Sequence, residues 1–200
     1  MDTSEMCRLL AETFTQHDPP AVALGLPPDE FEEFVRLYSA AATIGRLTII
    51  ARDTSTNEMA GALLTEDISS PPVNIEHVSE KFDPVFGLLG ELDASYRQEK
   101  DFRLGECLHL FLLGVSDSYT GRGIGQRLVE TCLNNGAAKG YRFAMTEATN
   151  RVSQHIFRKL GFVERAHVSY EKYRHEGSPV FASIAEHGGP IAMDRQIDAQ

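Results

Sequence analysis

The stretch Glu106 to Leu128, "ECLHLFLLGVSDSYTGRGIGQRL", constrains the fold more than any other part of this 200-residue chain. Glu106 to Val115 is nearly all apolar, which fits a strand covered on both faces near the middle of a sheet. A turn follows, then Gly121, Gly123 and Gly125, then Ile124, Leu128, Cys132 and Leu133 on one side of a helix. At such a helix start, unpaired backbone N–H groups and the positive end of the dipole meet an anion, and glycine lets it approach. The spacing excludes two nucleotide loops. "GRGIGQ" is neither G-x-x-x-x-G-K-[ST] nor a G-x-G-x-x-G turn. The glycines alone fit tight packing of a strand on a helix equally well.

Charge narrows the ligand. The chain carries a net charge of −10, which argues against nucleic acid or an anionic membrane as partner. Tyr119 to Arg165 departs from that balance, with eight Lys and Arg against three acids, so this third stands at +5 and the rest at −15. A basic segment that begins at the glycines suits a compact anion site, or simply a solvated helix face. The opening "MDTSEMCRLL" has no basic-then-apolar leader, and no apolar run approaches the length of a membrane span, so a cytoplasmic protein is expected. Cys7, Cys107 and Cys132 are odd in number and far apart; they read as buried thiols, and no metal site is expected.

Periodicity gives a mixed α/β order in a single domain over 1–200. Met6, Leu9, Leu10, Ala11 and Phe14 mark a first helix, which "HDPP" stops, and "PPDEFEEFVRLYSAAATIG" a second. "RLTIIARD" and "EMAGALLTED" pair as antiparallel strands around "TSTN". A helix capped at Ser79 runs to about Glu99. After the central unit, "YRFAMTEA" is a strand, "NRVSQHIFRKLG" a helix, "FVERAHVSYEKY" a long strand and "GGPIAMDRQI" the last.

"LLGVSDSYTGRGIGQRL" and, downstream, "EATNRVSQHIFRKLGF" resemble the two signature segments of the GNAT superfamily of acyl-CoA-dependent N-acetyltransferases. "LAETFTQHDPPAVALGL" and the closing "YEKYRHEGSPVF" and "GPIAMDRQI" are similar to the arylalkylamine branch, of dopamine and serotonin type. The resemblance implies a GNAT-like α/β fold with a central mixed, mostly antiparallel sheet flanked by helices. The family's first strand has no counterpart here; either it is dispensed with or another segment meets its role. Thr120 stands where the family usually has Gln or Arg.

What the resemblance implies for function is transfer of an acetyl group from acetyl-CoA to a small primary amine, arylalkylamine-like or otherwise cationic. Backbone N–H groups of Gly121, Arg122, Gly123, Ile124, Gly125 and Gln126 would hold the pyrophosphate. A bulge exposing Leu113, Gly114 and Val115 would meet pantetheine and the thioester carbonyl, and Gly114 suits that bulge more than it suits close packing. Asn150 would contact pantetheine, or cap a helix. His109 and Asp18 compete as general base, with Thr149 and Ser153, four apart on one helix face, assisting Asp18. Phe157 takes the place of the family's acid Tyr; either the thiolate leaves without an acid, or Tyr170 or Tyr173 substitutes, and neither is assigned. A catalytically weak CoA-binding module and a protein or peptide acetyltransferase are the alternatives. A monomer or homodimer fits all three.

Overall fold

In a computed structural model, residues 3–42, 45–98 and 100–197 are described. The chain opens with α1 (Thr3–His17), a short α2 (Pro19–Leu24) and α3 (Pro28–Ala42). The hairpin β1 (Ile49–Arg52) and β2 (Met59–Asp67) follows, then a 3₁₀ turn at Glu80–Phe82 leading into α4 (Asp83–Arg97). The central unit is β3 (Cys107–Val115), a turn, and α5 (Ile124–Ala138); β4 (Phe143–Ala148), α6 (Arg151–Lys159), β5 (Val163–His167) and β6 (Ile191–Gln196) complete the chain. Thr43 and Ile44 of the expected second helix, and the expected helix end at Glu99, lie outside the described residues.

Among the described residues six strands form one sheet in the order β1-β2-β3-β4-β6-β5, antiparallel everywhere except between β3 and β4. Helices cover both faces, which is why β2 is buried along almost its whole length. On one face Met6 and Leu10 of α1 and Phe31, Phe34 and Val35 of α3 pack on Ala62, Leu64 and Leu112. On the other, Leu128, Val129 and Cys132 of α5 pack on Leu63, Leu108 and Leu110. Leu88, Leu92 and Tyr96 of α4 join Met145, Tyr170 and Phe181 in a third cluster. Among the described residues no helix is long and apolar enough to cross a membrane. The three cysteines are free and buried.

Two departures shape the site. The bulge in β3 falls at Phe111, because Leu64 pairs with Leu112 while the next residue, Thr65, pairs with Leu110. Leu108 and Leu110 face α5, but Phe111 and Leu112 both face α1, and from there the faces exchange. Gly114 is therefore not the bulged residue. It lies under α1, where a Cβ would stand 2.9 Å from Leu10 Cδ2 and 3.4 Å from Thr13 Cβ. Gly114→Val should destabilise the fold by about 1–3 kcal/mol through overpacking, read as a lower urea midpoint at constant m.

The second departure is a fork. β3 and β4 pair only from Cys107↔Phe143 to His109↔Met145, whereas β4 stays paired with β6 as far as Ala148↔Ile191. Beyond His109 the two central strands separate, and the gap opens toward the start of α5. "FVERAHVSYEKY" also yields a shorter strand than its alternation suggests. β5 ends at His167, since Tyr170 and Tyr173, three apart, both turn into the core with Phe181.

Candidate active site

Asp18 sits at the joint between α1 and α2. Its N–H still donates to Phe14 O at 2.9 Å, ending α1, while its side chain caps α2 by accepting from Ala21 N–H at 3.4 Å. The residue before a proline is driven out of the helical region, and Pro19 pre-sets the first helical φ, so "DPP" starts a helix instead of only stopping one. Six residues are too few for periodicity to reveal. The other carboxylate oxygen, Oδ1, accepts from Thr149 Oγ1 at 2.5 Å. Burial raises the Asp18 pKa to about 6 even though the bonds from Thr149 and Ala21 favour the charge.

Thr149 lies just before α6, not on it, and Tyr170 donates to its carbonyl at 2.8 Å. Ser153 is not brought to Asp18. Its hydroxyl donates back to Asn150 O at 2.9 Å, because the first turn of α6 offers that nearer acceptor. Asn150 is the cap of α6, its Oδ1 accepting from Ser153 N–H at 2.9 Å. Tyr170 is fully buried and burial pushes its phenol up strongly; Tyr173 is buried as well. Phe157 lines the cavity.

His109 is held between two carboxylates. Nδ1 lies 3.0 Å from Glu66 Oε1 and Nε2 2.7 Å from Glu147 Oε2. Burial disfavours the imidazolium, but Glu147 and Glu66 outweigh it and raise the pKa to about 10. Glu147 answers in kind: burial works against its charge, and His109 holds it below the usual carboxylate range. At neutral pH the imidazolium has both N–H groups engaged, which leaves no lone pair to accept a proton, contrary to what the sequence suggested. Glu66 and Glu147 went unremarked as site residues in the sequence, and their signal was an acid near the end of each of two mostly apolar strands.

These groups share a cavity of about 550 Å³ on the α1 side of the sheet, reached by Asp18, Glu66, His109, Glu147, Thr149 and Asn150. Its apolar wall is an interlocked aromatic cluster, with Phe34 5.1 Å from Phe82 and 5.8 Å from Phe86, and Tyr38 4.8 Å from Phe111. The cavity meets the fork along β3, since Leu110 to Leu113 line it.

Beyond the fork stands the glycine turn. Gly121 and Gly123 have φ of 73° and 72°, and a Cβ at either would meet nothing within 4 Å. Gly123 precedes α5 without any side-chain cap, and the first helical bond runs from Arg127 N–H to Gly123 O at 3.1 Å. The N–H groups of Ile124, Gly125 and Gln126 come before that ladder, so they point outward as donors. Gly125 is different. It is buried, with Ile156 Cδ1 3.3 Å from where its Cβ would be, and lets α5 approach α6. Arg122 stacks over the Tyr119 ring at 4.9 Å and donates to Ser118 O at 3.0 Å, while Gln126 donates to Glu130 at 2.8 Å. Thr120 bonds its own turn, at Asp117 O. The arrangement fits a phosphorylated ligand: an open helix start in a basic segment, next to a fork whose strand edge leads into a cavity.

Comparison with known proteins agrees with this geometry. Residues 87–162 match the acetyltransferase (GNAT) family. A 70-residue segment is 39% identical to mycothiol acetyltransferase of Corynebacterium glutamicum (strain R), covering 34% of this chain; the chain spans about a quarter of that relative, 24%. The C-terminal condensation domain of Ebony, solved in complex with beta-alanyl-dopamine, superposes with a TM-score of 0.87 at 17% identity, over 96% of this chain and 93% of that one. Arylalkylamine N-acetyltransferase 2 from Aedes aegypti gives 0.79 at 21% identity, over 97% and 94%. A Drosophila melanogaster polyamine N-acetyltransferase gives 0.72 at 19%, over 96% of each. Residues 87–162 thus match the GNAT family of acetyltransferases, within a GNAT-like fold that extends over nearly the whole chain.

Proposed function

We propose that this protein is an N-acetyltransferase that moves the acetyl group of acetyl-CoA to a small primary amine, with Asp18 as the proton acceptor. The observation that carries the reading is Asp18 itself: a buried carboxylate with a pKa near 6, on the wall of a cavity that meets the strand fork. A base poised near the working pH combines the correct protonation state with driving force for proton transfer. Acetyl-CoA, when bound, supplies the thioester carbon that the amine attacks. The N–H groups opening α5 hold its pyrophosphate, and the unpaired β3 edge positions its pantetheine. As the amine nitrogen bonds to that carbon, Asp18 accepts the nitrogen's proton and the thiolate leaves with the C–S electron pair. Phe157 offers no proton, so the thiolate takes one from water. Thr149 holds Asp18 in one rotamer facing the amine.

The cavity's size and aromatic wall support a small amine with an apolar body, as in the name of the Aedes protein, over a peptide acceptor. Thiol release across a panel of aryl and alkyl amines tests the reading. Turnover above the amine-free background is expected, and binding of acetyl-CoA without turnover would leave only a CoA-binding module. Gly123→Val should raise the KM for acetyl-CoA by about tenfold or more, since a β-branched residue strains a left-handed position and crowds the donor turn. An unchanged KM would remove this turn from the donor site.

A further inference from the structure

The Glu66–His109–Glu147 group holds more negative charge than bracing requires. Glu66 faces His109 directly across β2 and β3, and Glu147 joins them from β4 just past the fork. One carboxylate would suffice to neutralise the imidazolium. Two leave a net charge of −1 with His109 protonated and −2 without it, on the wall of a largely apolar cavity. The other acids of that wall are differently placed: Asp93 pairs with Arg97 at 2.9 Å, and Asp67 accepts from the N–H groups of Ser69 and Gly105 at 2.8 and 2.6 Å. Thr149, which holds Asp18, follows Glu147 by two residues. Side chains two apart along extended chain share a face, about 7 Å from one another. The cavity therefore has two acidic poles, the second flanked by Phe111, 5.2 Å from the His109 ring, and by Tyr38 beyond it.

We infer that the Glu66–His109–Glu147 group is a second cation subsite, so that the preferred acceptor is a diamine or a comparable amine with a cationic far end. The inference rests on the proposal that this cavity takes the acceptor amine. With the reacting amine at Asp18, an ammonium at the far pole neutralises the surplus carboxylate, and the aromatic faces of Tyr38 and Phe111 add cation–π attraction. A monoamine of equal length sets a methyl group against that charge and leaves it uncompensated.

The test compares 1,5-diaminopentane with pentylamine, and includes phenethylamine, in the wild type and in Glu66→Gln. The variant keeps the 2.7 Å His109–Glu147 pair while bringing the group to zero net charge. In the wild type kcat/KM for the diamine should exceed that for pentylamine by about tenfold or more, and in Glu66→Gln the ratio should fall to within about twofold of unity. A bracing role alone would lower both amines in step and leave the ratio standing. Wild-type enzyme that uses the two equally, that prefers phenethylamine to the diamine, or whose preference survives in Glu66→Gln, overturns the subsite. Dissociation constants of the same two alkylamines, measured calorimetrically, read the ratio without turnover. Failure of acetyl transfer therefore stays separate from failure of the subsite.

Discussion

Asp18→Asn is expected to lower kcat/KM for acetyl transfer by about a hundredfold or more near neutral pH while making the protein more stable. The two effects have one origin. Burial raises the Asp18 pKa to about 6, so the folded state holds this proton more tightly than the unfolded chain does. A carboxylate shifted this way contributes most below its unfolded pKa, and that contribution is lost as pH rises through the folded value. Above pH 6 the folded protein carries an unfavourable buried charge worth at most about 3 kcal/mol. Asparagine keeps the shape and has no charge to bury: its carbonyl oxygen still caps α2 by accepting from Ala21 N–H, while its NH2 donates to Thr149 Oγ1. The variant should therefore melt higher than wild type at pH 7.5, with the difference shrinking toward pH 4. Full activity would remove Asp18 as the base, and a lower melting temperature would contradict its burial as a charge.

His109→Gln is expected to do the opposite, destabilising by up to about 3–5 kcal/mol because it removes the cation between two half-buried carboxylates. The pKa of His109 is raised to about 10, so its contribution is fully present below the unfolded histidine value and is lost as pH rises through 10. Wild-type stability should accordingly fall progressively between roughly pH 6.5 and 10 and level off above, and His109→Gln should lack that fall. Folded variant protein should retain the acid limb of the rate profile, since that limb belongs to Asp18. If the limb vanished with His109, the assignment of the two residues would have to be exchanged.

The contrast between these residues marks what the sequence could and could not reveal. The strand, glycine turn and helix of Cys107 to Ala138 are written locally, in an apolar run, two glycines at positive φ and a 3.6-residue period, and the structure follows them. Gly114 also stood out, but whether it bulges or packs depends on β2 register and on Leu10, neither of which its neighbours record. His109 in isolation has the titration range of a base. Its partners Glu66 and Glu147 lie 43 and 38 residues away and reverse that reading. For Asp18 the local pattern pointed to a turn, and only the resemblance suggested chemistry. Its raised pKa follows from burial, and the hydroxyl that partly offsets that rise belongs to a residue 131 positions distant. Chemistry that depends on burial and on a partner's charge is a tertiary property, set by packing that no local pattern states.

The account turns on which residue takes the proton, and the pH dependence of kcat/KM, followed by thiol release from acetyl-CoA with a saturable amine, measures this most directly. The predicted profile for the wild type has an acid limb centred near pH 6 that is absent from Asp18→Asn and present in His109→Gln. An acid limb that persists in Asp18→Asn at the wild-type midpoint would contradict the account.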